Sequence, residues 1–252
     1  MLRLVTIPIS HYCEKARWAL ERAGIPYREE RHVQGIHRIA ARRAGGGQTV
    51  PVLVTPEGAL GESEDILRWV DGRTSPERRL FPDEPAERAE VERLSRRFDE
   101  RLGPRGRRYM YIKVLPHRDL TLEVNNQGVP RWEARALRVG WPLAVRFIGH
   151  ALGIRPGVEI EDEAEVWGEL DFVAELLADG RQHLCGERFS AADLTFAALS
   201  ASVVVPPVYG VPLPQPDVLP PDMAAFVERV RAHPAGAYAL ALFSERVSPV
   251  GA

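Results

Sequence analysis

Four consecutive residues near the start of the chain, Ser10-His11-Tyr12-Cys13, place a hydroxyl, an imidazole, a phenol and a thiol at one junction. Here an apolar β-like run, Leu2–Ile9, gives way to a helical pattern, Glu14–Ala23. A hydroxyl just ahead of a helix is the ordinary N-cap. The same geometry also stabilises an anion, a thiolate included, because the free N–H groups of the first turn point at it. Moving a thiol from ~8.5 to ~6.5 requires about 2.7 kcal/mol of preferential stabilisation. One or two hydrogen bonds to the anion, each worth roughly 1.5–3 kcal/mol, supply that. Cys13 offers a second route, as a thiol nucleophile. It would sit one turn into the helix on the face of Ala16 and Leu20, which favours burial and inertness. These four residues alone leave both routes open.

Two other places carry polar groups with a use. Pro51 interrupts the β-like run Thr49–Thr55, so it belongs on an edge, at a bulge or in a turn. In a cis form, Val50-Pro51 would turn the N–H and C=O of Val50 outward, toward an extended peptide ligand. Glu62-Ser63 precedes a helix pattern, with Glu64 and Asp65 in its first turn and Ser63 as the expected N-cap. Simple capping accounts for this. So does a site in which the helix end holds a carboxylate and Glu62 an ammonium. Arg107–Asp119 mixes aromatics with cations and reads equally as packing or as pocket lining. Gly45–Gly47 lacks a following Lys-Ser/Thr and is no phosphate loop. His183 and Cys185 make at most two metal ligands, so no metal is expected.

Positioning these groups needs a small sheet. Leu2–Ile9 and Tyr27–Val33 read as strands around the helix Glu14–Ala23, which Gly24 and Pro26 terminate, and the economical connection is a right-handed βαβ unit. Ile36–Ala44 reads as a short helix, Thr49–Gly61 as a hairpin and Glu64–Asp71 as a helix. Thr74–Pro85, with three prolines in "SPERRLFPDEP", reads as a linker. Beyond it the patterns are helical: Ala86–Leu102, a kink or break at Gly103–Gly106, then Trp132–Leu152, Glu161–Leu177, Ala191–Val204 and Met223–Arg231. Pro206–Pro221 is too proline-rich for regular helix. Ser190 and Asp193 form a capping box stapled by Phe189 and Leu194, with a structural role for Asp193.

The chain of 252 residues is 45% hydrophobic with a formal charge of −2, which argues against a nucleic-acid partner. Two cysteines are no disulfide framework and suit a reducing compartment. No basic segment followed by an apolar run opens the sequence, and no apolar stretch reaches ~18 residues. The expectation is a cytoplasmic protein without a membrane partner.

The stretches "SHYCEKARWALERAGIPYREERHV", "TVPVLVTPEGALGESEDILRWV" and "GERFSAADLTFAALSA", in this order, resemble the cytosolic glutathione transferase superfamily. The resemblance covers roughly the whole chain. It is strong in Met1–Gly72 and Leu184–Ser202 and weak in Tyr109–Glu159, a longer region with Asn-Asn-Gln-Gly at Asn125–Gly128. It implies an α/β thioredoxin-like N-terminal domain (1–73), a linker (74–85) and an all-α C-terminal domain (86–252). It also implies that Val50, with Pro51 cis, anchors the cysteinyl part of glutathione and that Glu62 and Ser63 hold the γ-glutamyl end. Ser10 falls where serine-type members steady the glutathione thiolate. Omega-like and glutaredoxin-like relatives have Cys at that position, and dithiol glutaredoxins have a second Cys where Cys13 stands.

The expected function is therefore a detoxification-type glutathione transferase. Glutathione is the cosubstrate, Ser10 the catalytic residue, and the thiolate attacks a small apolar electrophile by conjugation or dehalogenation. His11, Tyr12, Tyr109, Tyr111 and Trp141 are the candidate substrate contacts. The resemblance implies a homodimer. The alternatives are a non-catalytic ligand-binding or interaction protein on the same fold, and a thiol-dependent reductase using Cys13.

Overall fold

The computed structural model describes residues 1–246, so the last six residues of the expected helical part lie outside the described residues. Strand β1 (Leu2–Thr6) leads through a tight loop into α1 (His11–Arg22) and on to β2 (Tyr27–Arg31), which pairs parallel with β1. Helix α1 ends as expected. Gly24 takes the left-handed conformation at φ +66°, and Ile25 N–H donates to the Leu20 carbonyl at 2.9 Å. Helix α2 (His37–Arg43), strands β3 (Val52–Thr55) and β4 (Gly58–Leu60), and α3 (Ser63–Asp71) complete the N-terminal part. The sheet order is β2-β1-β3-β4, with β3 antiparallel to both β1 and β4.

Side-chain alternation divides this sheet cleanly. Leu4 and Leu53, a cross-strand pair, face the large core with Ala16, Leu20, Ile66 and Leu67. Their neighbours Val5 and Val52 face the other way, onto Ala41 and Ala44 at α2.

The rest is helical. Helices α4 (Pro85–Glu100), α5 (Leu102–Val114), α6 (Arg118–Asn125), α7 (Arg131–Val139), α8 (Trp141–Ala151) and α9 (Val158–Leu177) precede α10 (Ala191–Val204), α11 (Pro221–Ala232) and α12 (Pro234–Glu245). Helix α10 is buried almost all round, packed among α1, α4, α5, α11 and α12. Its capping box forms as read. Asp193 accepts the Ser190 N–H at 2.7 Å, and it also takes the Leu184 N–H and the Tyr238 hydroxyl. One apolar core runs from Leu4 and Trp18 through Phe98 and Phe196 to Phe243, so the sheet and the helices share their interior. A smaller cluster, Val33 with Leu115, Leu137, Trp141 and Ile148, seats the α6–α8 region against the segment after β2.

Several expected boundaries move. The helix expected over Trp132–Leu152 is two helices, broken at Gly140, because Pro142 cannot donate to the Arg138 carbonyl. That freed carbonyl accepts Arg118 Nη2 at 3.3 Å. The break expected within Gly103–Gly106 falls earlier, at Arg101, and Pro104 lies in the first turn of α5, where its missing N–H costs nothing. The N-cap of α3 is Glu62 rather than Ser63, and it makes no side-chain capping bond. Helices α5, α6 and α12 lie outside the helical stretches expected from the sequence. In the proline-rich stretch, Pro216–Val218 forms a single 3₁₀ turn and Pro221 opens α11.

Candidate active site

Topology alone gathers the three suspected segments. Strand β1 runs toward Ser10; β3 is antiparallel and so begins at that end, just after Val50-Pro51; β4 is antiparallel to β3 and so finishes there, just before Glu62-Ser63. The Val50–Pro51 peptide is cis, and Val50 lies beyond the last β1–β3 pair, Val5 with Val52.

Ser10 is the N-cap of α1. Its Oγ accepts the Cys13 N–H at 3.4 Å and lies beside the Cys13 thiol, so the hydroxyl proton can turn between that sulfur and a ligand. The loop before it is tied from behind. Ser10 N–H donates to the Ile7 carbonyl at 3.2 Å, and Arg17 Nη2 donates to the Ile7 and Pro8 carbonyls at 3.2 and 3.0 Å. The Tyr209 hydroxyl donates to the Ile9 carbonyl at 3.1 Å. Arg17 is itself fully buried and paired with Glu14 and Glu29. Glu14 accepts the Gly210 N–H at 3.0 Å and pairs with Arg246 at the end of α12.

Cys13, in the first turn of α1, is fully buried. Burial pushes its thiol up to about 11, against the pull of Arg17, so it is protonated and shielded at neutral pH. Glu62 forms no ion pair or side-chain hydrogen bond among the described residues, and the Ser63 hydroxyl is likewise without a protein partner. Both remain available to a ligand at the start of α3.

A cavity of about 330 Å³ opens beside Ser10. The N-terminal part contributes Ile7, Ile9, Ser10, His11, Arg38 and Thr49. Helix α5 contributes Arg107, Met110, Tyr111 and Val114, spaced i, i+3, i+4, i+7 on one face. Phe147 and Ile148 of α8 and Leu213 and Leu219 of the proline-rich segment close the apolar walls. His11 is buried, and its burial together with the charge of Arg107 holds the imidazole well below its usual 6.5. Gln34 donates to the Tyr111 hydroxyl at 2.7 Å and to Asn125, tying the segment after β2 to α5 and α6.

Of the expected substrate contacts, His11 and Tyr111 line this cavity. Tyr12 turns aside: its hydroxyl donates to the Asp99 carbonyl at 3.0 Å, and burial pushes it up to about 12. Tyr109, two positions from Tyr111, is on the opposite face of α5, donating to Glu163 and packed on Phe226. Trp141 belongs to the small cluster beneath α8. Arg38, Arg107 and the wall from the proline-rich segment were not singled out in the sequence. The i, i+3, i+4, i+7 spacing from Arg107 would have found that face had residues 103–114 been read as helix. Among the described residues no group of three or more His, Cys, Asp and Glu is placed to hold a metal, and no helix is long and apolar enough to cross a membrane.

This arrangement, a four-stranded thioredoxin-like sheet followed by a helical half, is the fold of glutathione S-transferase structures. Residues 4–78 match the family model described as the glutathione S-transferase N-terminal domain. Over the whole chain, the structure is similar to a glutathione S-transferase from Xanthobacter autotrophicus Py2. That pair shares 18% identity at a TM-score of 0.63, covering 100% of this chain and 96% of that one. It is also similar to one from Methylobacillus flagellatus KT with glutathione bound, at 15% identity and a TM-score of 0.59, covering 99% and 100%. A third, from Rhodospirillum rubrum F11, is 22% identical with a TM-score of 0.55, covering 100% and 96%. No curated protein matches the sequence significantly.

Proposed function

We propose that this chain is a glutathione transferase whose protein-side catalytic group is Ser10. The observation that carries the reading is a hydroxyl at the α1 N-terminus bordering an apolar cavity walled by the helical half. In this reading Glu62 and Ser63 hold the γ-glutamyl end of glutathione and Val50, before Pro51, receives its cysteinyl backbone. Ser10 and the N–H groups of α1 then favour the thiolate. The thiolate attacks an electrophile seated against Tyr111, Met110 and Phe147. The acceleration comes from positioning and preorganised donors rather than from a protein nucleophile. The burial of Cys13 speaks against a reductase using that thiol. A homodimer, as the resemblance implies, is part of the proposal.

The test is retention on immobilised glutathione together with a spectroscopic titration of the bound thiol in wild type and Ser10→Ala. The expected result is retention of both proteins, with the bound thiol titrating at higher pH in the variant. A protein that does not hold glutathione refutes the reading. Sedimentation of the full chain checks the dimer.

A further inference from the structure

The cavity is apolar over most of its wall, yet it carries cations with no anion to answer them. Its lining includes Arg38 and Arg107 and no aspartate or glutamate. Arginine rarely sits inside a protein unless paired, because an uncompensated charge in low dielectric is costly. The two buried arginines obey that rule: Arg17 pairs with Glu14 and Glu29, and Arg246 with Glu14 and Glu21. Arg107, half-buried in the cavity wall, does not. Among the described residues it forms no ion pair and no hydrogen bond, and its Nε is sealed from solvent without a partner. Beside it the buried His11 has an Nε2 in the same condition, and Gln34, also on the lining, has an unpartnered Oε1. The guanidinium lies 5.7 Å from the Tyr12 ring, near the outer limit of a cation–π contact. Arg38 is better satisfied, at 4.9 Å over the Phe147 ring.

We infer that the electrophile taken by this cavity bears an anionic group, a carboxylate or similar oxyanion, on an apolar body, and that Arg107 is the residue that receives it. The inference rests on the transferase reading for the word electrophile, and on the cavity alone for the anion. It departs from the expectation of a wholly apolar substrate. A planar guanidinium fits a carboxylate through two parallel N–H···O bonds, and Met110, Tyr111 and Phe147 offer the apolar body its surface.

Two probes with one activated ring separate charge from shape: 4-chloro-3-nitrobenzoate and 4-chloro-3-nitrobenzamide. Binding of each to the full-length protein is measured by calorimetry, with and without saturating glutathione, and turnover is followed where it occurs. The benzoate is expected to bind more tightly by about tenfold or more, the worth of a hydrogen-bonded charge pair. Arg107→Gln should erase that preference while leaving amide binding within about twofold, and Arg107→Lys should restore part of it. Equal binding of the two probes overturns the inference, as does binding of neither. So does loss of the preference in Arg38→Gln but not in Arg107→Gln. If saturating glutathione expels the benzoate, or if Arg107→Gln shifts the bound thiol's titration and leaves the preference intact, Arg107 serves glutathione and the inference fails. If the benzoate preference holds but glutathione does not bind, the transferase reading falls and the anion site stands.

Discussion

Arg17 Nη2 donates to the carbonyl of Pro8 at 3.0 Å, so a residue from the middle of α1 holds the loop that delivers Ser10 to the head of the same helix. The side chain is fully buried and meets two carboxylates, Glu14 and Glu29, at 2.9 and 2.8 Å. It is thus both the clamp on the loop and the charge that keeps two acids tolerable in the interior.

Removing that cation takes one partner from buried Glu14, which keeps Arg246, and one from half-buried Glu29, which keeps Arg31. Breaking a buried pair this way costs about 3–5 kcal/mol. Arg17→Met is expected to lower the unfolding free energy read from urea titration by up to that amount, and Arg17→Lys to recover less than half of it, because one ammonium cannot span Glu14, Glu29 and two carbonyls. A variant within 1 kcal/mol of wild type, taking about 0.5 kcal/mol as the noise of a surface change, would show the clamp to be dispensable.

Gly210 sits directly over this network. A Cβ there would come 2.6 Å from Arg17 Cδ and 2.7 Å from Glu14 Oε2, and neither side chain has room to withdraw. Gly210→Ala should therefore destabilise by about 1–3 kcal/mol as an overpacking change. Because the clash is with Arg17 Cδ, the cost should shrink in an Arg17→Ala background, which removes that atom, and a double-mutant cycle measures that coupling. Simple additivity would place the clash elsewhere.

Ser10 and Cys13 are separated by their surroundings. Ser10→Ala is expected to reduce glutathione-dependent turnover by about 10- to 100-fold, the loss of one hydrogen bond to an anion. Cys13→Ala removes a buried sulfur from the apolar face of α1; it should cost about 1 kcal/mol in stability and change turnover less than twofold. Comparable loss of turnover in both variants would contradict the assignment.

Acid stability follows from the histidines of the cavity. Burial, with the charge of Arg38, holds His37 down at about 4 from 6.5, and His11 is shifted in the same direction. Both are neutral in the native protein, whereas the unfolded chain takes up a proton at each near 6.5. Below that pH the unfolded state binds more protons, so stability is full above about 6.5 and falls as the pH drops toward 4. His37→Asn keeps an acceptor for the Gly35 N–H, 3.1 Å away in wild type, and removes the titration. Urea midpoints between pH 8 and 4 should fall less steeply in this variant; an unchanged slope would mean that His37 does not contribute.

The order of elements was legible because each relies on local physics. Ser10 caps α1, Gly24 ends it with a left-handed residue, and the Ser190–Asp193 box opens α10. The segments bearing Ser10, Val50-Pro51 and Glu62-Ser63 could be singled out for the same reason, since each is a junction between elements. Where local signals are weak, reading failed. Residues 103–114 carry two glycines and a proline in their first turn and do not look helical until packed, so the face from Arg107 to Val114 went unseen. Tyr109 and Tyr111 looked equivalent as types, and only the turn of α5 separates them.

Sequence alone determined the βαβ start, the hairpin, the helical second half and the residues at each junction, because capping, turn chemistry and side-chain period act over a few residues. Tertiary structure decided the interior. Glu14, Lys15 and Arg17 have the types of a solvated helix face, yet they are buried. Glu64 and Asp99 meet Lys15, while Glu29, Gly210 and Arg246 close over Glu14 and Arg17. Those partners lie as far as 232 residues away along the chain. Whether a charge is a surface ornament, a clamp like Arg17 or an unanswered cation like Arg107 depends on what the fold brings against it, and no local pattern encodes that.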